Sequence, residues 1–291
     1  MWQAIENSIS GVLGESFKVL AREPVGGGCI NEAFLLRGEQ LSCFIKLNQA
    51  DRLSMFEAEA AGLAAIRASC TLQAPQPLAW GVAGERSWLA LEYIQFSPPL
   101  AGSGALLGER LAAMHGCSAD AFGWDRDNTI GATPQPNPWT ESWIQFLRQQ
   151  RIGFQLELAA GKGLPAATLA RGEQLLELLP RLFEGYQPPP SLLHGDLWGG
   201  NWGTDSGGNP VVFDPAVYYG DRESDLAMTE LFGGFDRDFY AAYRAAWPLD
   251  AGYATRRDLY QLYHILNHFN LFAGSYANQA LRLIDRLLNQ V

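Results

Sequence analysis

Alternating apolar and polar residues dominate the first third of the chain, and this pattern predicts β-strands. Residues 16–25 (SFKVLAREPV) and 41–47 (LSCFIKL) read as two strands, with a turn at residues 38–40 before the second. In the second strand, the alternation places four apolar residues on one face: Leu41, Cys43, Ile45 and Leu47. Lys46 is the only charged residue of that strand, and it belongs to the other face. An edge lysine whose ammonium reaches solvent is one explanation for it.

Apolar residues three and four positions apart predict a helix over residues 54–69 (SMFEAEAAGLAAIRAS). Ser54 and Glu57 have the spacing of a capping box at its start. Glu59 shares a helical face with three apolar residues, Phe56, Leu63 and Ile66. A carboxylate on an apolar face needs a cation, and Lys46 is the nearest candidate in the sequence. The alternative is that Glu59 reaches solvent at the edge of the face.

The pattern changes after residue 94, and we place a domain boundary there. Residues 77–94 predict a β-hairpin that turns at Gly84, whereas residues 95–104 (QFSPPLAGSG) have the composition of a linker or hinge. The sequence therefore predicts an α+β protein with two lobes. The smaller lobe, 1–94, would hold an antiparallel sheet and one key helix, and the larger lobe, 95–291, would be mainly helical.

Helical periodicity is the main signal of the second lobe. Residues 104–116 carry three apolar residues on one face, Leu107, Leu111 and Met114. Asn137 and Pro138 have the signature of a helix start, with proline at the first helical position, and predict a helix that continues through Arg151. Residues 257–288 are amphipathic, and residues 209–216 (NPVVFDPA) contain an apolar strand that ends at Asp214.

Composition and charge narrow the possible partners. The chain has 291 residues and a formal net charge of −10, so it lacks the basic surface expected of a nucleic-acid-binding protein. No apolar run approaches the roughly 20 residues of a membrane span. The N-terminal sequence lacks the features of a secretory signal, and we expect a cytoplasmic location. The four cysteines are widely spaced, which favours reduced thiols over a zinc site.

Several polar motifs occur in an order that indicates phosphoryl transfer from ATP. A glycine-rich turn (Gly26, Gly27 and Gly28) would let backbone N–H groups approach phosphates. Lys46 would neutralise phosphate charge, and an ion pair with Glu59 would fix its position. The loop SLLHGDLWGGNW (residues 191–202) follows later, and then Asp214. Each motif is weak alone, but the ordered set is a strong signal.

The residues of the last two motifs have distinct predicted roles. Asp196 would orient the acceptor hydroxyl and accept its proton. Asn201 and Asp214 would supply oxygen ligands to Mg²⁺. The chain reads His-Gly-Asp where protein kinases commonly have His-Arg-Asp, and Asp214 is followed by Pro-Ala rather than Phe-Gly. These differences favour a constitutively competent kinase that acts on a small molecule.

Taken together, these motifs resemble those of the fructosamine kinase (ketosamine 3-kinase) family, within the aminoglycoside-phosphotransferase-like branch of the protein-kinase-like fold. The resemblance covers nearly the whole chain. It is carried by GGGCINEAF, FIKL, MFEAEAAGL, LGERLAAMHG, FGWDRDNTIGATPQPNPWTESWIQFLRQQRI, LLHGDLWGGNW and FDPAVYYGDRESDLAMTELFGGF. The HGDLWGGN and NTIGATPQPNPW segments are the most specific, since choline and aminoglycoside kinases share only the aspartate and asparagine skeleton.

The resemblance implies a phosphotransferase that uses ATP and Mg²⁺ to phosphorylate the 3-hydroxyl of ketoamine adducts. The phosphorylated adduct is unstable and regenerates the amine, which is a deglycation repair step. The segment DPAVYYGDRE (residues 214–223) is closer to bacterial and plant relatives that prefer ribulosamine and erythrulosamine over fructosamine. The substrate would be a small-molecule or protein-bound ketoamine.

The resemblance also implies positions for the ligands. The strand end Glu92, Tyr93 and Ile94 would hold adenine through backbone groups. Trp198 would form a wall of the substrate pocket, although core packing is the alternative for any single tryptophan. Three further residues would contribute to that pocket: Asn128, Gln135 and Trp202. We expect Asp221, Glu223 and Asp225 to hold the loop after Asp214, His194 to brace the catalytic loop, and His115 to be an imidazolium at a helix end without chemistry.

Cys29 lies in the predicted phosphate loop, where N–H dipoles would lower the pKa of its thiol. Its oxidation, including an intermolecular disulfide, would then obstruct ATP binding, so the protein would be a monomer or a redox-dependent dimer. The alternative is a small residue that fits the loop.

Two rival functions make different demands on the sequence. An aminoglycoside- or choline-kinase-like enzyme would require an acidic pocket, and a nucleotide-binding protein without catalysis would lack some of the four residues Lys46, Asp196, Asn201 and Asp214.

Overall fold

The computed structural model describes residues 1–26 and 30–290. They divide into two compact units: Met1–Ser103 with Gly203–Pro215, and Gly104–Trp202 with the chain from Ala216 onward. The division predicted from sequence lies at residue 94, so the first unit extends further and also includes a later segment. Gly26 is exposed and follows the first strand. The predictions for Gly27, Gly28 and Cys29 lie outside the described residues.

The first unit is built on a five-stranded antiparallel sheet with the order β1-β2-β3-β5-β4. Its strands are β1 (Val19–Val25), β2 (Glu32–Gly38), β3 (Ser42–Gln49), β4 (Pro77–Ala83) and β5 (Arg86–Glu92), and its helices are α1 (Trp2–Leu13) and α2 (Leu53–Ala68). The two predicted strands, the predicted hairpin over residues 77–94 and the existence of the predicted helix are therefore confirmed. Short turns join β2 to β3 and β4 to β5, and strands joined in this way pair antiparallel.

Strand β3 has the predicted alternation. Cys43, Ile45 and Leu47 are buried in one cluster with Ile5 and Ile9 of α1. Burial also raises the pKa of the Cys43 thiol to about 12, so this cysteine is an inert part of the core. Within the described part of the chain Cys43, Cys70 and Cys117 are free thiols, as the sequence predicts.

The start of α2 differs from the prediction. The helix begins at Leu53, its N-cap is Arg52, and no side chain caps it. Ser54 therefore lies inside the first turn, and the predicted capping box is wrong. A 3₁₀ turn over Ala50–Arg52 leads directly into the helix, and this moves the helix start upstream of Ser54.

The second segment of the first unit carries a short strand pair. β9 (Trp202–Thr204) and β10 (Pro210–Val212) form a two-stranded sheet. Val211 makes a parallel bridge with Gln73, and Thr204 makes an antiparallel bridge with Ser97. These bridges attach residues 203–215 to the first segment, and Asp214 follows β10 as predicted.

The second unit is mainly helical. Its helices are α3 (Ser103–His115), α4 (Trp143–Phe146), α5 (Gly153–Gly161), α6 (Ala166–Leu182), α7 (Glu223–Phe232), α8 (Arg237–Ala246), α9 (Tyr253–Phe272) and α10 (Tyr276–Leu288). Its short strands are β6 (Asn128–Ile130), β7 (Thr133–Gln135), β8 (Ser191–Leu193) and β11 (Tyr218–Gly220). The predicted apolar face of α3 is fully buried, with Leu107, Leu111 and Met114 at 0% exposure.

The predicted helix start at Pro138 is wrong. Residues 138–142 are not helical; α4 begins at Trp143, and the Ser142 side chain caps it by accepting from the Gln145 N–H. A π-helical turn over Leu147–Ile152 then joins α4 to α5. The helix starts late because Thr140 forms an antiparallel bridge with Phe122, so this segment pairs as a strand instead.

In the described residues no helix combines the length and apolar character needed to cross a membrane. An antiparallel sheet followed by a mainly helical remainder confirms the predicted α+β class.

Candidate active site

The first unit holds a buried lysine between two carboxylates. Lys46 is 6% exposed, and its Nζ donates to Glu59 Oε1 at 2.6 Å and to Asp214 Oδ1. Glu59 reaches Lys46 from α2, across the sheet face opposite the α1 cluster. The predicted pairing of Lys46 with Glu59 is confirmed, and the edge-lysine explanation is wrong.

The charge state of this lysine follows from its partners. Burial alone would lower the pKa of Lys46, but the carboxylates of Asp214 and Glu59 outweigh burial and raise it. Burial raises the pKa of Glu59, against the attraction of the Lys46 ammonium. Lys46 therefore remains a cation at every physiological pH, as a phosphate-binding residue requires.

Asp214 combines partial exposure with an unusual backbone. Its side chain is 47% exposed, whereas that of its partner Lys46 is 7% exposed. Its φ angle is 54°, in the left-handed region that a non-glycine residue adopts at a cost of about 1 kcal/mol or more. The conformation presents the carboxylate beyond the end of β10. Strain of this kind is concentrated at functional sites.

The second unit holds the loop that contains Asp196. Strand β8 leads into this loop, and the His194 carbonyl oxygen accepts from the Ala216 N–H at 2.9 Å. Gly195 has φ +83°, and a Cβ at this position would collide with the Ala216 carbonyl oxygen. Only glycine fits between the two strands here, so the loop turns sharply just before Asp196.

Asp196 and Asn201 are hydrogen-bonded to each other. Asn201 Nδ2 donates to the Asp196 carbonyl oxygen at 2.9 Å and lies 3.4 Å from Asp196 Oδ2. The Asn201 N–H donates to the Trp198 carbonyl oxygen, which closes a tight turn between the two residues. The spacing of five residues therefore brings the carboxylate and the amide together.

A buried aspartate on α7, Asp225, accepts hydrogen bonds from the backbone of this loop. Asp225 Oδ2 accepts from the His194 N–H at 2.7 Å, and Asp225 Oδ1 accepts from the Gly195 N–H at 2.8 Å. His115 Nε2 lies 3.1 Å from Asp225 Oδ2. Burial alone would raise the pKa of Asp225, but the hydrogen bond from His115 and the nearby positive dipoles lower it. Asp225 is thus an anion that fixes the backbone before Asp196.

His115 does not have the expected charge. It is fully buried, and burial lowers its pKa. Its Nδ1 lies 2.8 Å from the Tyr243 hydroxyl, which in turn accepts from Arg222 at 3.0 Å. A neutral imidazole satisfies both contacts, because Nε2–H donates to Asp225 and Nδ1 accepts from the tyrosine. The expectation of an imidazolium at a helix end was therefore wrong.

Asp221 and Glu223 are structural, as expected. Asp221 accepts from the hydroxyls of Tyr260 at 2.5 Å and Tyr186 at 3.0 Å. Glu223 makes two hydrogen bonds with Arg256, at 2.7 and 3.0 Å. Burial, together with the nearby Glu223 carboxylate, raises the pKa of Asp221 to about 7.

The two tryptophans of the loop have different environments. Trp198 is 42% exposed, and its ring lies against Gly200, where a Cβ would collide with it. Trp202 stacks on Phe235 with ring centroids 5.8 Å apart, and its Nε1 donates to the Gly234 carbonyl oxygen at 3.3 Å. Trp198 is therefore partly exposed, whereas Trp202 is packed against Phe235. A substrate role for either tryptophan stays a prediction.

Asn128 and Gln135 belong to a buried amide network. Asn128 Nδ2 donates to the Val217 carbonyl oxygen at 2.8 Å, and Asn128 Oδ1 accepts from Gln135 Nε2 at 2.7 Å. Gln135 is 1% exposed, and its Oε1 accepts from the Tyr263 hydroxyl at 2.6 Å. These contacts attach β6 and β7 to the chain after Asp214. A substrate role for the two residues stays a prediction, and their contacts describe a supporting one.

Some backbone N–H groups of the predicted adenine-binding segment already form hydrogen bonds within the first unit. The N–H groups of Glu92 and Tyr93 donate to the carbonyl oxygens of Gln76 and Ser42, at 2.8 and 3.4 Å. An adenine bound at residues 92–94 would therefore use the remaining backbone groups, such as the carbonyl oxygens.

Comparison with known proteins assigns the chain to a family. A family model described as fructosamine kinase matches residues 1–290. The chain belongs to the fructosamine kinase family. A Synechocystis protein named as a probable ketoamine kinase is 46% identical over 99% of this chain and 97% of its own length. The chloroplastic protein-ribulosamine 3-kinase of Arabidopsis thaliana is 42% identical over 96% of this chain and 86% of its own length.

Solved structures agree with the family. A Haemophilus somnus crystal structure that carries the name of a fructosamine-3-kinase has a TM-score of 0.92 at 32% identity, and the alignment covers 99% of this chain and 98% of the other. The aminoglycoside phosphotransferase APH(4)-Ia has a TM-score of 0.66 at 17% identity, over 99% of each chain, which shows the fold alone. The predicted protein-kinase-like fold is confirmed.

The residues of this fructosamine kinase family member suit a magnesium ion. Mg²⁺ is commonly bound by one or two protein oxygen ligands together with substrate phosphates and waters. Asp214 has a partly exposed carboxylate, and Asn201 Nδ2 is engaged with Asp196. Binding of Mg²⁺ by these two residues stays a prediction. No cluster of three histidine, cysteine or acidic side chains that could bind a metal alone occurs in residues 1–26 and 30–290.

Sequence reasoning expected Asp225 to support the loop after Asp214, and it gave His115 no contacts. It did not connect Asp225 or His115 to the loop before Asp196, because they come from helices far apart in the chain. The helix that carries Asp225, Glu223–Phe232, has five polar residues among ten, so no apolar pattern marks Asp225 as buried. For His115, no local signal distinguishes a buried bridge from a helix end.

Proposed function

We propose that this protein is an ATP- and Mg²⁺-dependent ketosamine 3-kinase that phosphorylates ribulosamine and erythrulosamine adducts, and fructosamines more slowly. The observation that carries the proposal is the buried Lys46, held as a cation by Glu59 and Asp214. This arrangement matches the lysine–glutamate pair that positions ATP phosphates in kinases. The relatives named as protein-ribulosamine 3-kinases, from Arabidopsis and rice, are 42% and 41% identical to this chain.

The acceptor step requires a base beside a hydroxyl group. We assign this role to Asp196, which accepts the proton of the substrate 3-hydroxyl as the oxygen attacks the γ-phosphorus. One O–P bond forms at the substrate, the bond to the β,γ-bridging oxygen breaks, and ADP carries away the electron pair. Asp225 keeps the loop backbone rigid during this step because it accepts from the N–H groups of His194 and Gly195.

The donor side requires neutralisation of phosphate charge. Lys46 would contact the α- and β-phosphates, and Glu59 would keep its ammonium in place. Asp214 and Asn201 would hold Mg²⁺, which supplies charge neutralisation on the phosphates when bound. The adenine would lie against the backbone of residues 92–94.

The product explains the use of such an enzyme. The phosphate at O3 of a ketosamine sits on the carbon next to the C2 carbonyl. Loss of a C1 proton gives a 1,2-enaminol, whose electrons expel inorganic phosphate from C3 as the C3–O bond breaks. The remaining dicarbonyl sugar fragment then separates from the amine by hydrolysis. The reaction thus returns a glycated amine to its free form, which is a deglycation repair.

The test is incubation of the purified protein with Mg-ATP and matched ribulosamine and fructosamine derivatives of lysine. We expect a product that is heavier by one phosphoryl group, formed faster from ribulosamine, and absent with Asp196→Asn. Asp51→Asn is the matched control, because Asp51 is an exposed aspartate whose side chain is 74% exposed. Absence of product from both adducts, together with turnover of an aminoglycoside or choline, would overturn the proposal.

A further inference from the structure

Three aromatic side chains of the second unit form a partly exposed stack, which we call the aromatic patch: Trp124, Tyr219 and Trp139. The Trp124 and Tyr219 ring centroids are 5.6 Å apart at 38°, and those of Trp139 and Tyr219 are 6.0 Å apart at 29°. Trp139 is 46% exposed, whereas Trp124 packs against the core of the unit. Tyr219 is thus flanked by two indoles, of which Trp139 is the more exposed.

The backbone fixes the patch in place. Residues 122–124 pair with residues 137–140 on one side, through Phe122–Thr140 and Trp124–Asn137 hydrogen bonds of 2.8–3.0 Å. Gly123 bonds with Tyr219 on the other side, at 2.8 and 3.0 Å. Gly123 has φ +134°, and a Cβ there would lie 2.9 Å from the Asn137 carbonyl oxygen. The three segments are therefore tightly apposed, and the rings stand on a rigid support.

The segment of chain that carries Trp124 and Trp139 is acidic. Residues 120–141 include four acidic side chains and one basic side chain, Arg126. The acidic ones are Asp120, Asp125, Asp127 and Glu141. Burial raises the pKa of Tyr219, and the Cys117 thiol and the Asp125 carboxylate add to the shift. Asp125 is therefore an acidic side chain near the Tyr219 hydroxyl. Exposed aromatic faces beside carboxylates attract cations such as lysine and arginine side chains.

The patch lies within reach of the proposed base. Tyr219 pairs with Leu192, and four residues of chain lead from Leu192 to Asp196. A chain spans at most about 3.6 Å per residue, and paired Cα atoms lie about 5 Å apart. The Cα atoms of Tyr219 and Asp196 are therefore separated by no more than about 20 Å, which is about the length of six residues of an extended polypeptide.

We propose that the aromatic patch is a docking surface for the polypeptide that carries the ketosamine, and that it binds lysine or arginine side chains that flank the glycated residue. This proposal rests on the proposed function, because the ketosamine has to be protein-bound. Glycation occurs on amines, so a glycated protein surface contains lysines, and these cations match the acidic aromatic patch. Tryptophan and tyrosine also supply much of the binding energy in polypeptide interfaces.

The test compares three substrates, each carrying one ribulosylated lysine: a peptide with arginine neighbours, the same peptide with glutamine neighbours, and N-acetyl-ribulosyl-lysine. For the wild-type protein we expect a lower KM for the arginine peptide than for the glutamine peptide. Trp139→Ala should raise the KM for the arginine peptide about three- to tenfold, with kcat unchanged and the KM for N-acetyl-ribulosyl-lysine within twofold. Asp125→Asn should raise the KM of the same peptide by a smaller factor.

Trp80→Ala is the matched control, because Trp80 of β4 is also 46% exposed. It should leave all three KM values unchanged. Equal KM values for the two peptides with the wild-type protein, or an equal rise for peptide and N-acetyl-ribulosyl-lysine with Trp139→Ala, would overturn the proposal. A loss of self-association with Trp139→Ala in analytical ultracentrifugation, at unchanged peptide KM, would assign the patch to a second copy instead. If the wild-type protein phosphorylates none of the three substrates, the proposed function itself fails.

Discussion

Each unit contains a cluster of charged residues that includes an aspartate: Asp214 in the first unit and Asp225 in the second. The two aspartates differ in burial and in hydrogen bonding. Asp214 pairs with Lys46 through one oxygen, and its side chain is 47% exposed on a strained backbone. The Asp225 side chain is 1% exposed, and both of its oxygens accept from backbone N–H groups. A hydrogen-bonded, buried carboxylate fixes the fold around it. The Asp214 carboxylate, by contrast, is partly exposed on a strained backbone. We expect this difference in burial to distinguish a ligand-binding aspartate from a positioning one.

The largest effect should come from the exposed aspartate. Asp214→Asn should lower kcat/KM about 10³-fold, because several kcal/mol of phosphate charge neutralisation would be lost. The free energy of unfolding should change less than with Asp225→Ala, since Glu59 remains as a counter-ion of the buried Lys46 and asparagine tolerates the left-handed region. Steady-state kinetics and denaturant unfolding measure the two quantities. A large loss of stability with little loss of activity would reverse the assigned roles.

The buried aspartate should show the opposite balance. Asp225→Ala should lower the free energy of unfolding by about 3–5 kcal/mol, because two backbone N–H groups and His115 lose their buried acceptor. Urea denaturation followed by circular dichroism provides the measurement. Asp238→Ala on the exposed side of α8 is the control and should change stability by about 0.5 kcal/mol or less. Equal stability of the two variants would mean that Asp225 does not stabilise the loop before Asp196.

Asp221, a second buried aspartate of the same unit, should make the free energy of unfolding depend on pH. The pKa of Asp221 is raised to about 7 from an unfolded value near 3.8, so the folded state binds the proton more tightly between these values. Stability due to this group is therefore present at low pH and is lost as the pH rises from about 4 to 7, with a slope of up to about 1.4 kcal/mol per pH unit. The difference in unfolding free energy between the wild type and Asp221→Asn, measured across that range, should shrink with rising pH. A difference that grows would mean that the folded-state pKa is lowered instead.

The smallest effect concerns the two tryptophans of the catalytic loop. Trp202→Phe should lower the free energy of unfolding by about 1 kcal/mol through loss of the hydrogen bond to Gly234, with substrate KM within twofold. Trp198→Phe removes no hydrogen bond of this kind, so it serves as a comparison for stability, and Trp198→Ala should raise the KM. A larger KM effect for Trp202→Phe than for Trp198→Ala would place Trp202 at the substrate.

Periodicity predicted much of the first unit from sequence. The alternation in β3 and the helical face of α2 placed Lys46 and Glu59 on facing elements, and the ion pair at 2.6 Å bears this out. Both signals are local, since each depends on residues within one element. The capping box failed because a 3₁₀ turn moved the helix start, and such a turn depends on only a few residues.

Long-range contacts could not be predicted in this way. Asp214 lies 168 residues from Lys46, and Tyr263 lies 128 residues from Gln135. Nothing in the residues around Gln135 distinguishes an amide that contacts a substrate from one that contacts a tyrosine on a distant helix. The helix expected at Pro138 failed for a related reason, because pairing with residues 122–124 outweighed the local signature.

Because the first unit is formed by two separate segments of the chain, it can be completed only late in translation. A nascent chain that has released only residues 1–103 still lacks residues 203–215, and with them the bridges of Val211 and Thr204 and the second partner of Lys46. Until those residues emerge, the Lys46 ammonium has Glu59 as its counter-ion but not Asp214. Completion of the first unit thus depends on translation of about three quarters of the chain, up to Pro215 of 291 residues, and a shorter polypeptide lacks Asp214 as a partner of Lys46.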